Sequence, residues 1–151
     1  MKRIFAIILL IPALSFAQKS IETLKLDLPK NTLEPKQVNF STDAIFLDEK
    51  KCFNYIKKND VVIDGVKVPN YFEIINLDNI VLFSGVIRKN ESGNFESKIK
   101  FHPIDKLYKN SKIIGRNDLI LNLSSNHVLN NDCSLNMENL RLFYEKSNEN
   151  N

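Results

Sequence analysis

An alternation of apolar and polar residues defines the clearest secondary-structure element of the chain, at residues 95–101. Apolar or small side chains alternate there with Glu96, Lys98 and Lys100. Successive side chains of a strand point to opposite faces of a sheet, so the pattern is typical of a strand that covers a core on one face and meets water on the other. We expect Phe101 to be buried and Lys100 to be exposed.

Shorter patterns of strand-forming residues predict that most of the remaining chain is β-structure. The predicted strands lie at residues 24–28, 38–40, 44–47, 61–63, 66–68, 71–77, 80–88, 113–114 and 119–123. Asp64 and Gly65 separate two of them and form a strong hairpin turn sequence. Gly85 interrupts an apolar run, which favours a β-bulge at that position.

One segment is ambiguous between strand and helix. Residues 48–58 can continue the strand that precedes them, but Cys52, Tyr55 and Ile56 have helical spacing and Asp48 can cap a first turn. The helical spacing and the cap favour a short helix slightly over a strand.

Near the C-terminus, the spacing of apolar residues changes from that of a strand to that of a helix. Ser134 or Asn136 can cap a helix, and Glu138 near its start and Lys146 near its end suit the helix dipole. One stripe of this helix is apolar and consists of Met137, Leu140, Phe143 and Tyr144. We therefore predict an α+β fold, mainly an antiparallel β-meander curled into a barrel-like or sandwich sheet, with a C-terminal helix packed on it.

The first 17 residues have the three parts of a bacterial-type signal peptide. Lys2 and Arg3 precede an uncharged apolar run, and Ser15-Phe16-Ala17 supplies the small residues of a cleavage site. The apolar run is much shorter than the ~20 residues that a spanning helix needs. We expect a single exported domain at residues 18–151 in the periplasm or the medium, with a frayed tail at 147–151 and no membrane span.

The formal net charge falls from +3 to +1 when Lys2 and Arg3 are removed with the signal peptide. A nearly neutral protein has no overall field that attracts nucleic acid or acidic lipid. Cys52 and Cys133 are the only cysteines. Two cysteines in an exported domain usually pair, and no Cys-x-x-Cys spacing supports a redox function, so we predict a structural disulfide.

The sequence contains no strong catalytic or metal-binding motif. His102 and His127 lack a second ligand at fixed spacing, so we expect neither to be catalytic or metal-bound. Ser124, Ser125 and Asp132 surround His127 with the residue types of a hydrolytic triad, but no Gly-x-Ser-x-Gly elbow is present. We predict no catalytic site, no metal site and no cofactor.

The remaining charged residues are also explained by solvated surfaces. The acids Glu73, Asp78, Glu91 and Glu96 occupy predicted strand or turn positions, although carboxylates paired in space remain an alternative. Two lysine pairs, at residues 50–51 and 57–58, enclose Phe53 and Tyr55 in a pattern that resembles an aromatic and basic nucleic-acid surface. The low net charge favours a solvated face over that surface.

These observations favour a non-enzymatic binding protein whose partner is another protein. The size of the chain, its export signal and the absence of a recognisable catalytic motif suit an inhibitor or immunity protein for a periplasmic enzyme. One alternative is a small-ligand binder that uses the interior of the curled sheet. A second alternative is a small hydrolase whose site has no recognisable motif.

Overall fold

The computed structural model describes residues 37–149. The predicted signal peptide at 1–17 and the predicted strand at 24–28 lie outside the described residues, as do the last two residues of the tail. We number the elements of the described part β1 to β9 and α1 to α2 in chain order.

Seven antiparallel strands form one sheet, in the order β1-β2-β3-β6-β7-β8-β9. They are β1 Val38–Phe40, β2 Ala44–Leu47, β3 Lys50–Lys58, β6 Tyr71–Asn76, β7 Val81–Lys89, β8 Phe95–Phe101 and β9 Lys106–Lys109. β1 and β9 are the edges, so the sheet is not closed into a barrel. The predicted antiparallel meander is confirmed, but the strand β9 was not predicted.

The strand β8 confirms the alternating pattern. Its residues pair in regular register with β7, from Phe83 opposite Phe101 to Lys89 opposite Phe95. Phe101 is completely buried, whereas the side chain of Lys100 keeps 38% of its exposure. One face of the strand therefore packs into the core and the other face carries the charges.

The preference for a helix at residues 48–58 is wrong, because the segment from Lys50 to Lys58 is a strand. Between the pairs Ile45–Phe53 and Phe46–Lys51, Cys52 is an extra residue on β3 and forms a β-bulge. The bulge turns the adjacent residues Cys52 and Phe53 both toward the core. Two buried neighbours in a row break strict alternation, and this is why the segment resembled a helix.

The bulge predicted at Gly85 lies elsewhere. The register shift in β7 falls at Leu82, where the pairing moves from Ile74–Phe83 to Ile75–Val81. Gly85 has a different requirement: a Cβ atom there would lie 2.0 Å from the carbonyl oxygen of Lys98. The close approach of β8, and not a bulge, requires glycine at this position.

The strands predicted at 113–114 and 119–123 do not exist. Residues 113–114 lie in a loop, and α1, Arg116–Ser125, replaces the second strand. Leu119, Ile120 and Leu123 occupy one helical face and are fully buried. A short apolar run is compatible with a strand or a helix, and here packing of one helical face against the sheet favours the helix.

The C-terminal helix is confirmed as α2, Met137–Ser147. The Asn136 side chain caps it by accepting a hydrogen bond of 3.0 Å from the Asn139 N–H. Leu140 and Phe143 are buried against the core, where the Phe143 ring lies 5.6 Å from the Tyr108 ring. Within residues 37–149, no helix is long and apolar enough to cross a membrane.

The tail expected to fray is held in place as far as residue 149. The Lys109 N–H donates to the Asn148 side chain at 2.9 Å, and the Glu149 N–H donates to the Lys109 carbonyl at 2.9 Å. The Glu149 carboxylate also accepts two hydrogen bonds from Ser111. These bonds satisfy backbone groups at the edge of β9, so the polar composition of the tail does not reflect fraying here.

The predicted disulfide between Cys52 and Cys133 is present, and it joins β3 to the loop that precedes α2. The two Cα atoms are 5.0 Å apart and the residues are separated by 81 positions in sequence. Disulfides of this kind are typical of proteins in oxidising compartments.

A separate hairpin interrupts the chain between β3 and β6. Its strands β4, Val61–Ile63, and β5, Val66–Val68, pair only with each other. Asp64 and Gly65 both have positive φ, as the predicted two-residue hairpin turn requires. We call residues 61–68 the flap, because they lie against the face of the sheet that the helices leave uncovered.

Candidate functional site

A groove of about 420 Å³ separates the flap from the outer face of the sheet, by which we mean the face opposite the helices. Its volume falls within the ~300–1,000 Å³ that is typical of ligand pockets. We call it the flap groove. The residues that line it are Ile63, Asp64, Val66, Val68, Tyr71, Ser84, Gly85, Val86, Arg88, Lys98, Lys100 and Leu107.

The flap contributes apolar side chains to this region. The flap residues Ile63 and Val66 line the groove and are 44% and 65% exposed, and Leu107 of β9 lines it as well and is 49% exposed. Single exposed apolar residues are ordinary, but several beside one concave surface are typical of a binding site.

The sheet contributes cations. Arg88, Lys98 and Lys100 line the groove from β7 and β8. Glu96 neutralises part of this charge: the Lys98 ammonium donates to its carboxylate at 2.9 Å, and this hydrogen bond is the main reason that the pKa of Glu96 lies below its usual range. In the same way, a hydrogen bond from Lys100 lowers the pKa of Asp105.

One pair of lysines is placed unfavourably. Lys98 on β8 lies directly opposite Lys109 on β9, so the two side chains share the outer face. Like charges directly opposite each other destabilise a sheet. Among residues 37–149, no acidic side chain forms an ion pair with Lys109. An anionic group placed between the two ammonium groups would relieve this repulsion.

A chain of three hydrogen-bonding side chains ends at the groove. The Tyr71 hydroxyl donates to the Ser84 hydroxyl at 2.9 Å, and the Ser84 Oγ lies 2.7 Å from the His102 Nε2. Ser84 is only 3% exposed, whereas His102 begins a short 3-10 helix at the end of β8 and is exposed. The structure thus places a serine and a histidine at the distance of a nucleophile and its base.

Ser84 and Tyr71 were not predicted as site residues, because their contact with His102 depends on strand register. Ser84 and His102 are 18 residues apart and meet only because β7 and β8 pair across the loop at residues 90–94. Locating that loop as the hairpin turn would have placed Ser84 opposite Lys100, two residues from His102. A serine within an otherwise apolar strand was the available indication.

The residues of the weakly supported triad have other partners. Ser125 donates to the Leu121 carbonyl within α1, and the Asp132 carboxylate accepts two hydrogen bonds from Ser134. These bonds lower the pKa of Asp132 and close a local turn. His127 is exposed at the end of α1, and Ser124 is buried. No side-chain hydrogen bond joins these four residues within the described part of the chain; the His127 N–H donates to the Ser124 carbonyl at 2.9 Å in the backbone turn that ends α1.

The acidic candidates occupy separate positions. Glu73 forms an ion pair of 2.7 Å with Lys58, and Glu96 pairs with Lys98 and Arg88. Asp78 lies in the turn between β6 and β7, and Glu91 lies in the loop between β7 and β8. In residues 37–149, no group of three His, Cys, Asp or Glu side chains could hold a metal ion.

The aromatic residues beside the lysine pairs at 50–51 and 57–58 are covered. Phe53 is 1% exposed and belongs to the core. Tyr55 lies under the Arg116 guanidinium, which is 3.8 Å from the ring centre, and it stacks on Phe72. Neither ring offers a free face for stacking on a base.

The interior of the sheet is filled. Large side chains pack between its inner face and the two helices, namely Phe53, Phe83, Phe101 and Tyr108 from the strands with Leu119, Leu123 and Leu140 from the helices. The pockets found among residues 37–149 are open to the surface. A small-ligand site would therefore have to lie in a surface groove and not inside the curled sheet.

Comparisons of the chain with protein-family models, with curated proteins and with solved structures found no match. The geometry described above therefore carries the functional argument alone.

Proposed function

We propose that this chain is an exported binding protein and that a partner protein occupies the flap groove. The observation that carries the proposal is the placement of Lys98, which lines the groove, opposite Lys109 of the edge strand β9 and beside exposed apolar side chains, in a protein of low net charge. A binding surface of this kind combines an apolar contact with charge complementarity, and it needs no catalytic step.

The chemistry of the groove defines the partner. The apolar flap residues Ile63 and Val66 favour an apolar side chain, and the lysines favour a carboxylate. The partner would therefore present an acidic segment that contains at least one exposed apolar residue. An inhibitor or immunity protein for an enzyme of the same compartment fits this description.

Export is part of the proposal. The pattern of residues 1–17 and the disulfide between Cys52 and Cys133 both support an oxidising compartment outside the cytoplasm. If the signal peptide is removed as proposed, the exported protein starts at Gln18. Mass spectrometry of protein from the exported fraction tests this point, and an intact Met1 terminus would contradict it.

Charge reversal in the groove tests the binding function. We would compare proteins captured from a periplasmic extract by the immobilised wild type, by Lys98→Glu with Lys109→Glu, and by a control with Lys50→Glu and Lys51→Glu. The control makes the same change of charge on exposed lysines of β3. We expect one protein to be retained by the wild type and by the control, and to be lost with the groove variant.

Equal capture by all three proteins, or loss with the control as well, would contradict the proposed surface. A heat-stable molecule of low mass that elutes from the wild type, with no retained protein, would identify a small-ligand binder in its place. Circular dichroism on each variant would establish that it is folded.

A further inference from the structure

We propose that Ser84 is an activated nucleophile, with His102 as its general base, and that it accepts an acyl group from a carboxylic ester bound in the flap groove. This activity goes beyond the proposed binding function and does not depend on it. It revises the expectation that neither histidine takes part in chemistry.

The contact between Ser84 and His102 has the geometry that nucleophile activation needs. The Ser84 Oγ and the His102 Nε2 are 2.7 Å apart, within hydrogen-bond reach. Tyr71 donates its hydroxyl proton to Ser84 at 2.9 Å, so the Ser84 hydroxyl can donate its own proton to the imidazole in the tautomer that leaves Nε2 unprotonated. The arrangement directs the serine proton toward His102.

The positions of the two residues separate their functions. Ser84 lines the groove, whereas His102 does not line it but is exposed and can exchange protons with water. Burial of Ser84 to 3% exposure keeps its hydroxyl in a fixed orientation. A buried hydroxyl on an otherwise apolar strand needs partners, and here the partners are a base and a proton donor.

A cationic group lies beside the point of attack. Lys100 lies directly opposite Ser84 in the register of β7 and β8, on the same face of the sheet. Its ammonium group, which also pairs with Asp105, can stabilise the negative charge that develops on a carbonyl oxygen. The apolar side chains of Val66 and Leu107 line the same groove and suit the hydrocarbon part of an ester.

The reaction proceeds in two balanced steps. The Ser84 oxygen attacks the ester carbonyl while its proton moves to the His102 Nε2; the bond to the leaving alcohol breaks, and the alcohol takes that proton, which leaves an acyl-serine. A water molecule then gives one proton to His102 and attacks the acyl carbon. The carboxylic acid leaves, and the proton returns from His102 to the Ser84 oxygen.

A fluorophosphonate probe tests the nucleophile directly, and hydrolysis of 4-nitrophenyl butyrate tests turnover. We expect the folded wild type to gain one adduct, located at Ser84 by peptide mass spectrometry. Ser84→Ala should abolish the adduct and the ester hydrolysis. Since loss of a general base typically reduces a rate by 10²–10⁴, His102→Ala should slow labelling by roughly 100-fold or more.

Ser125→Ala is the matched control, because Ser125 is an exposed serine from the rejected triad. We expect it to be labelled at the wild-type rate. Thermal unfolding of each variant would show that it is folded. The inference is overturned if the folded wild type gains no adduct at Ser84, or if His102→Ala reacts as fast as the wild type. The charge-reversal experiment on Lys98 and Lys109 reports on binding separately, because neither residue belongs to the hydrogen-bonded chain.

Discussion

Reduction of the disulfide should remove a large part of the stability of the folded domain. Cys52 and Cys133 are separated by 81 residues, and the loop-entropy relation for a cross-link of that size gives about 4.5 kcal/mol. Native disulfides of small secreted domains typically contribute about 2–5 kcal/mol, and a domain has only about 5–15 kcal/mol in total. We therefore expect the reduced protein to retain little stability.

Urea unfolding of the oxidised and the reduced wild type measures this effect without a change of sequence. The midpoint should fall strongly on reduction. The slope of unfolding free energy against urea should rise, because the unfolded chain without its cross-link exposes more surface to the denaturant. Cys52→Ala with Cys133→Ala is the control: its stability should not respond to the reductant, and it should lie close to that of the reduced wild type.

A loss below about 1 kcal/mol with an unchanged slope would refute the reasoning. That result would mean that the unfolded chain already holds the two segments together, or that the disulfide opposes the packing of β3. A reduced protein that does not fold at all agrees with the expectation when the intrinsic stability is near the lower end of the usual range.

Three further substitutions test the packing. Phe101→Ala should lower the free energy of unfolding by about 3–5 kcal/mol in urea, because the centre of its buried ring lies 4.7 Å from that of Tyr108. Lys100→Ala should lower it by less than about 1 kcal/mol, and equal losses would mean that the register of β8 is wrong. Gly85→Ala should cost about 3 kcal/mol or more, since its Cβ would meet the Lys98 carbonyl at 2.0 Å, and a loss below about 1 kcal/mol would contradict that approach. The Tyr108 hydroxyl is buried without a close hydrogen-bond partner among residues 37–149; burial raises its pKa, and the nearby Ser147 and Asn110 oppose that rise. Tyr108→Phe should therefore change the free energy of unfolding by less than about 1 kcal/mol, and a larger loss in thermal unfolding would show that one of these side chains bonds to the hydroxyl.

Alternation of apolar and polar residues predicted most strands of the meander, although not β9, in which only Tyr108 is buried. The strand β8 is the clearest case, since its alternation identifies both the strand and its buried face. The prediction failed where a bulge placed two adjacent residues in the core, as with Cys52 and Phe53. It failed again at α1. The short apolar run there fits the two-residue period of a strand as well as the 3.6-residue period of a helix, and only packing against the sheet decides between them.

The candidate site could not be predicted for a related reason. The contact between Ser84 and His102 and the opposition of Lys98 and Lys109 both arise from the register of neighbouring strands. No local spacing encodes either contact. The disulfide was predictable because it follows from the number of cysteines and the predicted export, and not from register.

The flap is an insert that the rest of the sheet does not require. The strands β3 and β6 pair without interruption as far as Lys58 and Tyr71, so residues 59–70 could be replaced by a two-residue Asn-Gly turn without loss of a ladder hydrogen bond. An insertion between two strands that already pair up to their ends has a small entropic cost, which grows slowly with the length of the insertion. Selection can therefore lengthen, exchange or recombine this hairpin while the sheet, the helices and the disulfide stay the same. One scaffold can in this way carry different hairpins over the same outer face of the sheet.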